Sequence, residues 1–346
     1  MILRTWLLGL CPAVLLAGCA AAPLEPAANL ADAGIKTTSA FGAEVTEVSE
    51  QLAYAGVAEA FTRTWQACAN PNLPCTAQLE PEELTEERQR LADAVTLRAK
   101  AIAALGEAYT ALQAEAAYNE GTDLRSAVSG AVESVNDFAA KAAALHGASA
   151  GAALVSKPIG ELAGFGAELI GQERQRKRLL AASRSIGAAT RRLRDGMQDE
   201  SRAFDSLARY LVLKRSGARV ALYEAGLTPP SDVLTPLAEH LDATVVPGAD
   251  SIIAGSPRLQ MALKATLEGM SQAEVIRMKD RYRISIAALG ALIESHEALE
   301  RKQPLSIGDV ERFLSELDAS LTPQPLPAPS QSQPVRLPDQ QPGDGQ

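Results

Sequence analysis

Apolar residues recur along this chain at alternating spacings of three and four, and the repeat runs through most of its length. Phe41, Val45, Val48, Leu52 and Ala55 share one face of a predicted first helix, with Asn29 as its cap and Asp32 three residues on. Leu91, Val95, Arg98, Ile102, Leu105, Tyr109, Leu112 and Ala116 form the seam of a second, opened by Glu80-Pro81-Glu82-Glu83 and interrupted by the charge of Arg98. Leu124, Val128, Ala131, Val135, Phe138, Ala142 and Leu145 mark a third.

The fourth pattern is the longest. It runs from Leu162, Phe165 and Leu169 through Gln172, Arg176, Leu179, Ser183, Ile186, Thr190, Leu193, Met197, Glu200, Phe204 and Leu207 to Leu211. A period of 3.5 residues is that of a coiled-coil-like seam, and polar members such as Gln172, Arg176 and Glu200 fix register at a cost in stability. Gly226-Leu227-Thr228-Pro229-Pro230 breaks the repeat. Ser256-Pro257 then starts a helix, and Ser271-Gln272-Ala273-Glu274 is a capping box that opens another. That helix carries Val275, Met278, Tyr282, Ser285, Leu289, Leu292, His296 and Leu299 in register. Ser306 to Asp309 precedes a short last helix with Val310, Phe313 and Leu317.

The predicted fold is all-α: an elongated bundle of long antiparallel helices over 29–225, with a shorter helical part over 226–321 packed on it or appended to it. Thr244-Val245-Val246 is the one stretch with any β character. Composition agrees. Of 346 residues, 47% are hydrophobic but only 4% aromatic, so the apolar content is mostly Ala, Leu and Val. Such side chains suit long helices in close contact better than a thick core. Residues 322–346 are rich in Pro, Gln and Ser and cannot build a core.

The first residues carry an address. Arg4 precedes the apolar run Trp6–Leu16, which is too short to span a bilayer, and Leu16-Ala17-Gly18-Cys19 follows. This resembles the signal peptide and lipobox of bacterial lipoproteins over the first 19 residues. The resemblance implies cleavage after residue 18, lipid on Cys19, a tether over 19–28 and export. With Ala20 rather than Asp after the cysteine, it implies the outer membrane of a Gram-negative cell, facing the periplasm. After export, Cys68 and Cys75 are the remaining cysteines, flanking a short Pro-containing loop. In an oxidising compartment that spacing reads as a disulfide rather than a metal site.

Charge narrows the partners. The chain carries a net charge of −9, which argues against nucleic acid. One stretch departs from it: Glu173–Arg202 holds nine Lys or Arg against four acids. Its cations Arg174, Arg176, Lys177, Arg178, Arg184, Arg191, Arg192 and Arg194 are a candidate docking face for anionic lipid, cell-wall polymer or an acidic envelope protein. The alternative is pairing with neighbouring acidic helices such as Glu82–Glu87.

Three chemical motifs were weighed. Gly147-Ala148-Ser149-Ala150-Gly151 matches the hydrolase nucleophile elbow, but a helical seam precedes it where a strand is needed. His296-Glu297 begins like a zinc-protease motif without its second histidine, so an interhelical His is expected there and no metal. Gly147-x-x-x-Gly151 and Gly160-x-x-x-Gly164 lie in a stretch of few charges, from 147 to 171. A membrane-remodelling or pore-forming hairpin would use it. The favoured expectation is a non-catalytic, lipid-anchored lipoprotein without cofactor that binds or scaffolds another envelope component; membrane remodelling and hydrolysis are the alternatives.

Overall fold

The computed structural model describes residues 24–69, 75, 86–117, 123–145 and 172–321. Cys19, Ser149, the stretch 147–171 and the tail after 321 lie outside the described residues. Eight helices and no strand are present among those described. They are α1 Leu24–Ala69, α2 Glu86–Ala116, α3 Leu124–Leu145, α4 Gln172–Glu224, α5 Pro230–His240, α6 Ala249–Ala254, α7 Pro257–Arg301 and α8 Ile307–Leu321. The bundle is all-α, as the periodicity indicated; Thr244-Val245-Val246 is irregular backbone.

The seams are buried. Every predicted seam residue of α2, Arg98 included, is buried, and so is each position of the 3-4 repeat from Leu179 to Leu211 in α4. At 1.5 Å per residue the 53-residue α4 is about 80 Å long. Ala, Leu and Val supply most of the buried surface, with Phe41, Phe138, Phe204, Tyr109 and Tyr282 at intervals.

Two expectations change. First, α1 begins at Leu24, five residues before the predicted cap at Asn29, so residues 24–28 of the expected tether are helical. Pro26 lies in the first turn, where its missing N–H removes no intrahelical bond. Ala27, Leu30 and Ala31 are fully buried, and that packing draws the helix start forward. Second, Ser271 opens no helix. Helix α7 runs unbroken from Pro257, capped by the Ser256 hydroxyl accepting from the Leu259 N–H, and the Ser271 hydroxyl donates back to the Leu267 carbonyl at 2.7 Å. Residues 226–321 pack on the bundle, with Ile253, Leu263 and Leu267 buried outside its main cluster. Met278, Tyr282, Leu289, Leu292 and Leu299 of α7 and Val310 and Leu317 of α8 join the same buried cluster as α1–α4.

Ion pairs and hydrogen bonds set the helix directions. Glu115, near the end of α2, meets Gln175 and Arg178 at the start of α4, whereas Arg98 meets Glu200; α2 and α4 are antiparallel. Lys141 pairs with Asp93 at 2.8 Å, so α3 is antiparallel to α2 and parallel to α4. The end of α1 meets α4 through Glu59, Lys214 and Tyr210. Helix α7 returns antiparallel to α4, joined by Lys264–Glu224 at one end and Arg191–Glu297 at the other. Arg281 donates to the Ser320 carbonyl and places the end of α8 beside the middle of α7. Because α3 and α4 point the same way, they are not the two arms of one hairpin.

The bundle thus has a proximal end, where α1 begins, and a distal end, where α1 and α4 finish and α5 and α6 cover the start of α7. Cys68, in the last turn of α1, is disulfide-bonded to Cys75 at the distal end.

Glycines govern the closest approaches. A Cβ on Gly34 of α1 would overlap the ring of buried Tyr109, whereas one on Gly42, two turns on, would meet nothing within 4 Å. Gly34→Ala should lower unfolding stability by about 1–3 kcal/mol through overpacking. Gly42→Ala should raise it by about 0.5–1 kcal/mol through helix propensity. Urea titration of the two variants checks the contrast; equal effects would contradict the packing of α1 on α2.

Candidate functional site

Two polar layers cross the apolar core. The more proximal is built from Tyr109 of α2, Ser183 and Thr190 of α4, and His296 of α7, all with 1% exposure or less. The His296 Nδ1 is 2.8 Å from the Ser183 hydroxyl, and Nε2 is 2.9 Å from the Tyr109 hydroxyl. Tyr109 is also 3.2 Å from Thr190, whose own proton goes to the Ile186 carbonyl at 2.9 Å. The protons can therefore be assigned. Thr190 accepts from Tyr109, so Tyr109 accepts from Nε2–H, and Nδ1 accepts from Ser183. A neutral imidazole satisfies every group, and the Gly187 backbone presses against His296, 2.9 Å from an added Cβ. Burial, with Arg191 nearby, pushes the His296 pKa down to about 3. Burial also pushes the Tyr109 phenol above its ordinary range.

The second layer lies near the middle of the bundle. Arg98 of α2 forms an ion pair with Glu200 of α4, and both are buried. The Tyr282 hydroxyl of α7 lies 2.6 Å from Glu200 Oε1 and 2.9 Å from the Met197 carbonyl. The rings of Tyr282 and Phe204 stack at 4.1 Å, with the Arg98 guanidinium 5.0 and 5.2 Å from their centroids. Nε and Nη2 of Arg98 meet no acceptor, and these ring faces take that role. Burial alone would lower the Arg98 pKa; Glu200, Tyr282 and Glu44 outweigh it and hold the guanidinium charged. Glu44 of α1 completes the layer. It accepts from the Ser285 hydroxyl at 2.8 Å, and burial raises its pKa against the pull of Arg98.

Ser183 and His296 have the hydrogen bond of a nucleophile and its base, but α1, α2, α4 and α7 enclose them. A substrate has no route to that bond, and the second ring nitrogen faces a tyrosine rather than a carboxylate. His296 is thus a satisfied interhelical histidine. Among the described residues no group of three or more His, Cys, Asp or Glu could hold a metal.

The basic stretch is largely engaged within the bundle. Arg178 pairs with Glu115 of α2 at 3.0 Å, Arg184 with Glu300 of α7 at 3.3 Å, and Arg191 with Glu297 of α7 at 2.6 Å. Lys177 pairs with Glu173 and Arg194 with Asp195 on their own helix. Arg174 is exposed, and Arg176 and Arg192 are half-buried. The sequence pointed to Glu82–Glu87 as the acidic partners; those side chains lie outside the described residues, and the acids observed come from α2 and α7. Exposed pairs of this kind contribute about 0–1 kcal/mol each.

A second basic cluster escaped the sequence reading. Arg215 and Arg219 lie one turn apart on α4, and Arg277 faces them from α7. They line a distal cavity of about 440 Å³ beneath the Gly226 turn and α5, with Asp232 and Glu274 as its acids. Leu267 and Met270 give it an apolar wall. The i, i+4 spacing of Arg215 and Arg219 was visible in the sequence; the approach of Arg277 was not. Compared with protein-family models, curated proteins and solved structures, the chain finds no match.

Two titrations test the layers. The His296 pKa in the folded state, about 3, is below its unfolded value near 6.5. Its stabilisation is therefore complete above pH 6.5 and is lost as the pH falls towards 3. Below pH 6 this residue alone should remove about 1.4 kcal/mol per pH unit. Urea unfolding between pH 7 and 4 should show that slope, and His296→Gln should remove it. Glu44 has the opposite sign: a raised carboxyl pKa gives stability that is present below the unfolded value and lost as the pH rises. Glu44→Gln should therefore unfold at higher urea than wild type at pH 7.5, with the advantage vanishing near pH 4. A less stable Glu44→Gln protein at pH 7.5 would mean that Glu44 is held as a needed carboxylate.

Proposed function

We propose that the protein is a lipid-anchored envelope lipoprotein, held through Cys19 at the outer membrane and facing the periplasm, that binds or scaffolds another envelope component without catalysis. One observation carries the non-catalytic part. The groups with chemical potential that the fold brings together, Ser183, His296, Tyr109, Glu44 and Glu200, are buried and hydrogen-bonded between helices. They are used to hold helices in register, which leaves the surface for recognition. The lipobox supports anchoring, and the disulfide between Cys68 and Cys75 agrees with an oxidising compartment. No described helix is long and apolar enough to cross a membrane.

A rigid bundle tens of ångströms long, tethered only a few residues before α1, is suited to presenting a surface at a distance from its membrane. The cations of 174–194 remain the surface offered to anionic lipid, polymer or protein, although several are already paired with the bundle's own acids.

Fractionation of a Gram-negative host expressing wild type and Cys19→Ser tests the anchor. Wild type should pellet with the outer membrane, and Cys19→Ser should move to the soluble fraction. A Cys19→Ser protein processed and membrane-bound like wild type would overturn the anchored reading.

A further inference from the structure

The distal cavity gathers cations on one spot. On the basic stretch, most cations meet acids of the same bundle. In the cavity three guanidiniums converge, and among the described residues only Arg215 of the three has an ion pair, with Glu274. Arg219 and Arg277 are exposed and have no hydrogen bond or ion pair among the described residues. Helix packing brings the three like charges together, since Arg215 and Arg219 share a face of α4 against which α7 carries Arg277. Burial lowers the Arg215 pKa, and the charges of Arg219 and Arg277 add to that against the pull of Glu47. Asp232 is the remaining acid on the lining, and it has no side-chain partner among the described residues.

The wall behind these charges is apolar. Leu267 is nearly fully buried, and Met270 lies beside it on α7. A cavity of about 440 Å³ is the size of small-molecule sites, which combine an apolar wall with a few convergent polar groups. Guanidinium groups match the geometry of phosphate oxygens, and a dianion would offset the two free cations together.

We infer that the distal cavity between α4 and α7 binds a phosphate ester carried on an apolar body, with Arg219 and Arg277 holding the phosphate and Leu267 and Met270 contacting the apolar part. The inference rests on the binding reading above and names its recognition chemistry. Two sources carry that chemistry: a soluble phosphate ester and a phospholipid headgroup. By the helical rise, Arg215 is about 60 Å along α4 from Gln175 at the proximal end. Headgroups of the anchoring bilayer would reach the cavity only in a bundle lying along the membrane.

The test uses the mature chain without lipid and two probes, phenyl phosphate and monomeric dihexanoyl-phosphatidic acid, with phenol as the uncharged control. Calorimetry should show saturable, salt-weakened binding of at least one phosphate probe and none of phenol. Phenyl phosphate alone indicates a soluble ester; the phospholipid indicates a headgroup. Arg219→Gln with Arg277→Gln should weaken binding about tenfold or more, the loss of one or two charge-assisted hydrogen bonds. Its melting temperature should stay near wild type, because neither residue is paired. Lys36→Gln with Arg312→Gln, exposed cations on α1 and α8, should bind like wild type. Binding of neither probe, or equal binding by the Arg219/Arg277 variant, overturns the assignment. Either failure leaves the anchored-scaffold reading to its own fractionation test.

Discussion

The buried contact between Arg98 and Glu200 is the constraint on which the bundle depends. Two charges removed from water cost several kcal/mol each, and their mutual attraction offsets this only where geometry is good and remaining groups are satisfied. Here Tyr282 adds a hydroxyl to Glu200, and the stacked rings of Tyr282 and Phe204 face the guanidinium. The arrangement needs α2, α4 and α7 at one height. A slide of α2 or α4 by one turn would leave an unpaired charge in an apolar core, at a cost of about 3–5 kcal/mol, and a slide of α7 would strip Glu200 of the Tyr282 hydroxyl. Seams of Ala, Leu and Val discriminate poorly between registers, because one small apolar residue replaces another at little loss. The ion pair supplies the discrimination that the apolar seam lacks.

The histidine layer does the same work more proximally with neutral groups. Its hydrogen bonds run in one order, from Ser183 through His296 and Tyr109 to Thr190 and the Ile186 carbonyl. Gly34 and Gly187 let the backbones of α1 and α4 close around it. Both layers tie α7 to α2 and α4. A helix late in the chain is therefore central to the bundle, and the core is not complete until it has been added.

This interior has a consequence for function. Ser183, His296, Glu44 and Glu200 hold the helices in register, so the binding role proposed above falls to the surface. The surface is uneven. The proximal half of α4 shares its cations with Glu115, Glu297 and Glu300, whereas at the distal end Arg219 of α4 and Arg277 of α7 lie beside an apolar wall. The first cluster is the denser in sequence, and the second is the less neutralised in space.

Read alone, the sequence determined the helices, their seams and the polar positions in them. It marked Arg98, Glu200 and His296 as polar residues on apolar faces, because heptad spacing is a property of one helix and its own residues report it. Cys68 and Cys75 were equally legible, being close in sequence. Which polar residue meets which was decided only by the tertiary structure. Arg98 and Glu200 are 102 residues apart, Tyr109 and His296 are 187 apart, and no local pattern encodes a partner at that distance. The same limit hid the run of α7 through Ser271 and the meeting of Arg277 with Arg215 and Arg219, and it left open whether 226–321 packs on the main core. A local capping signal at Ser271 yielded to the burial of Leu267, Met278 and Tyr282 on one continuous face, since packing over many turns outweighs a single cap.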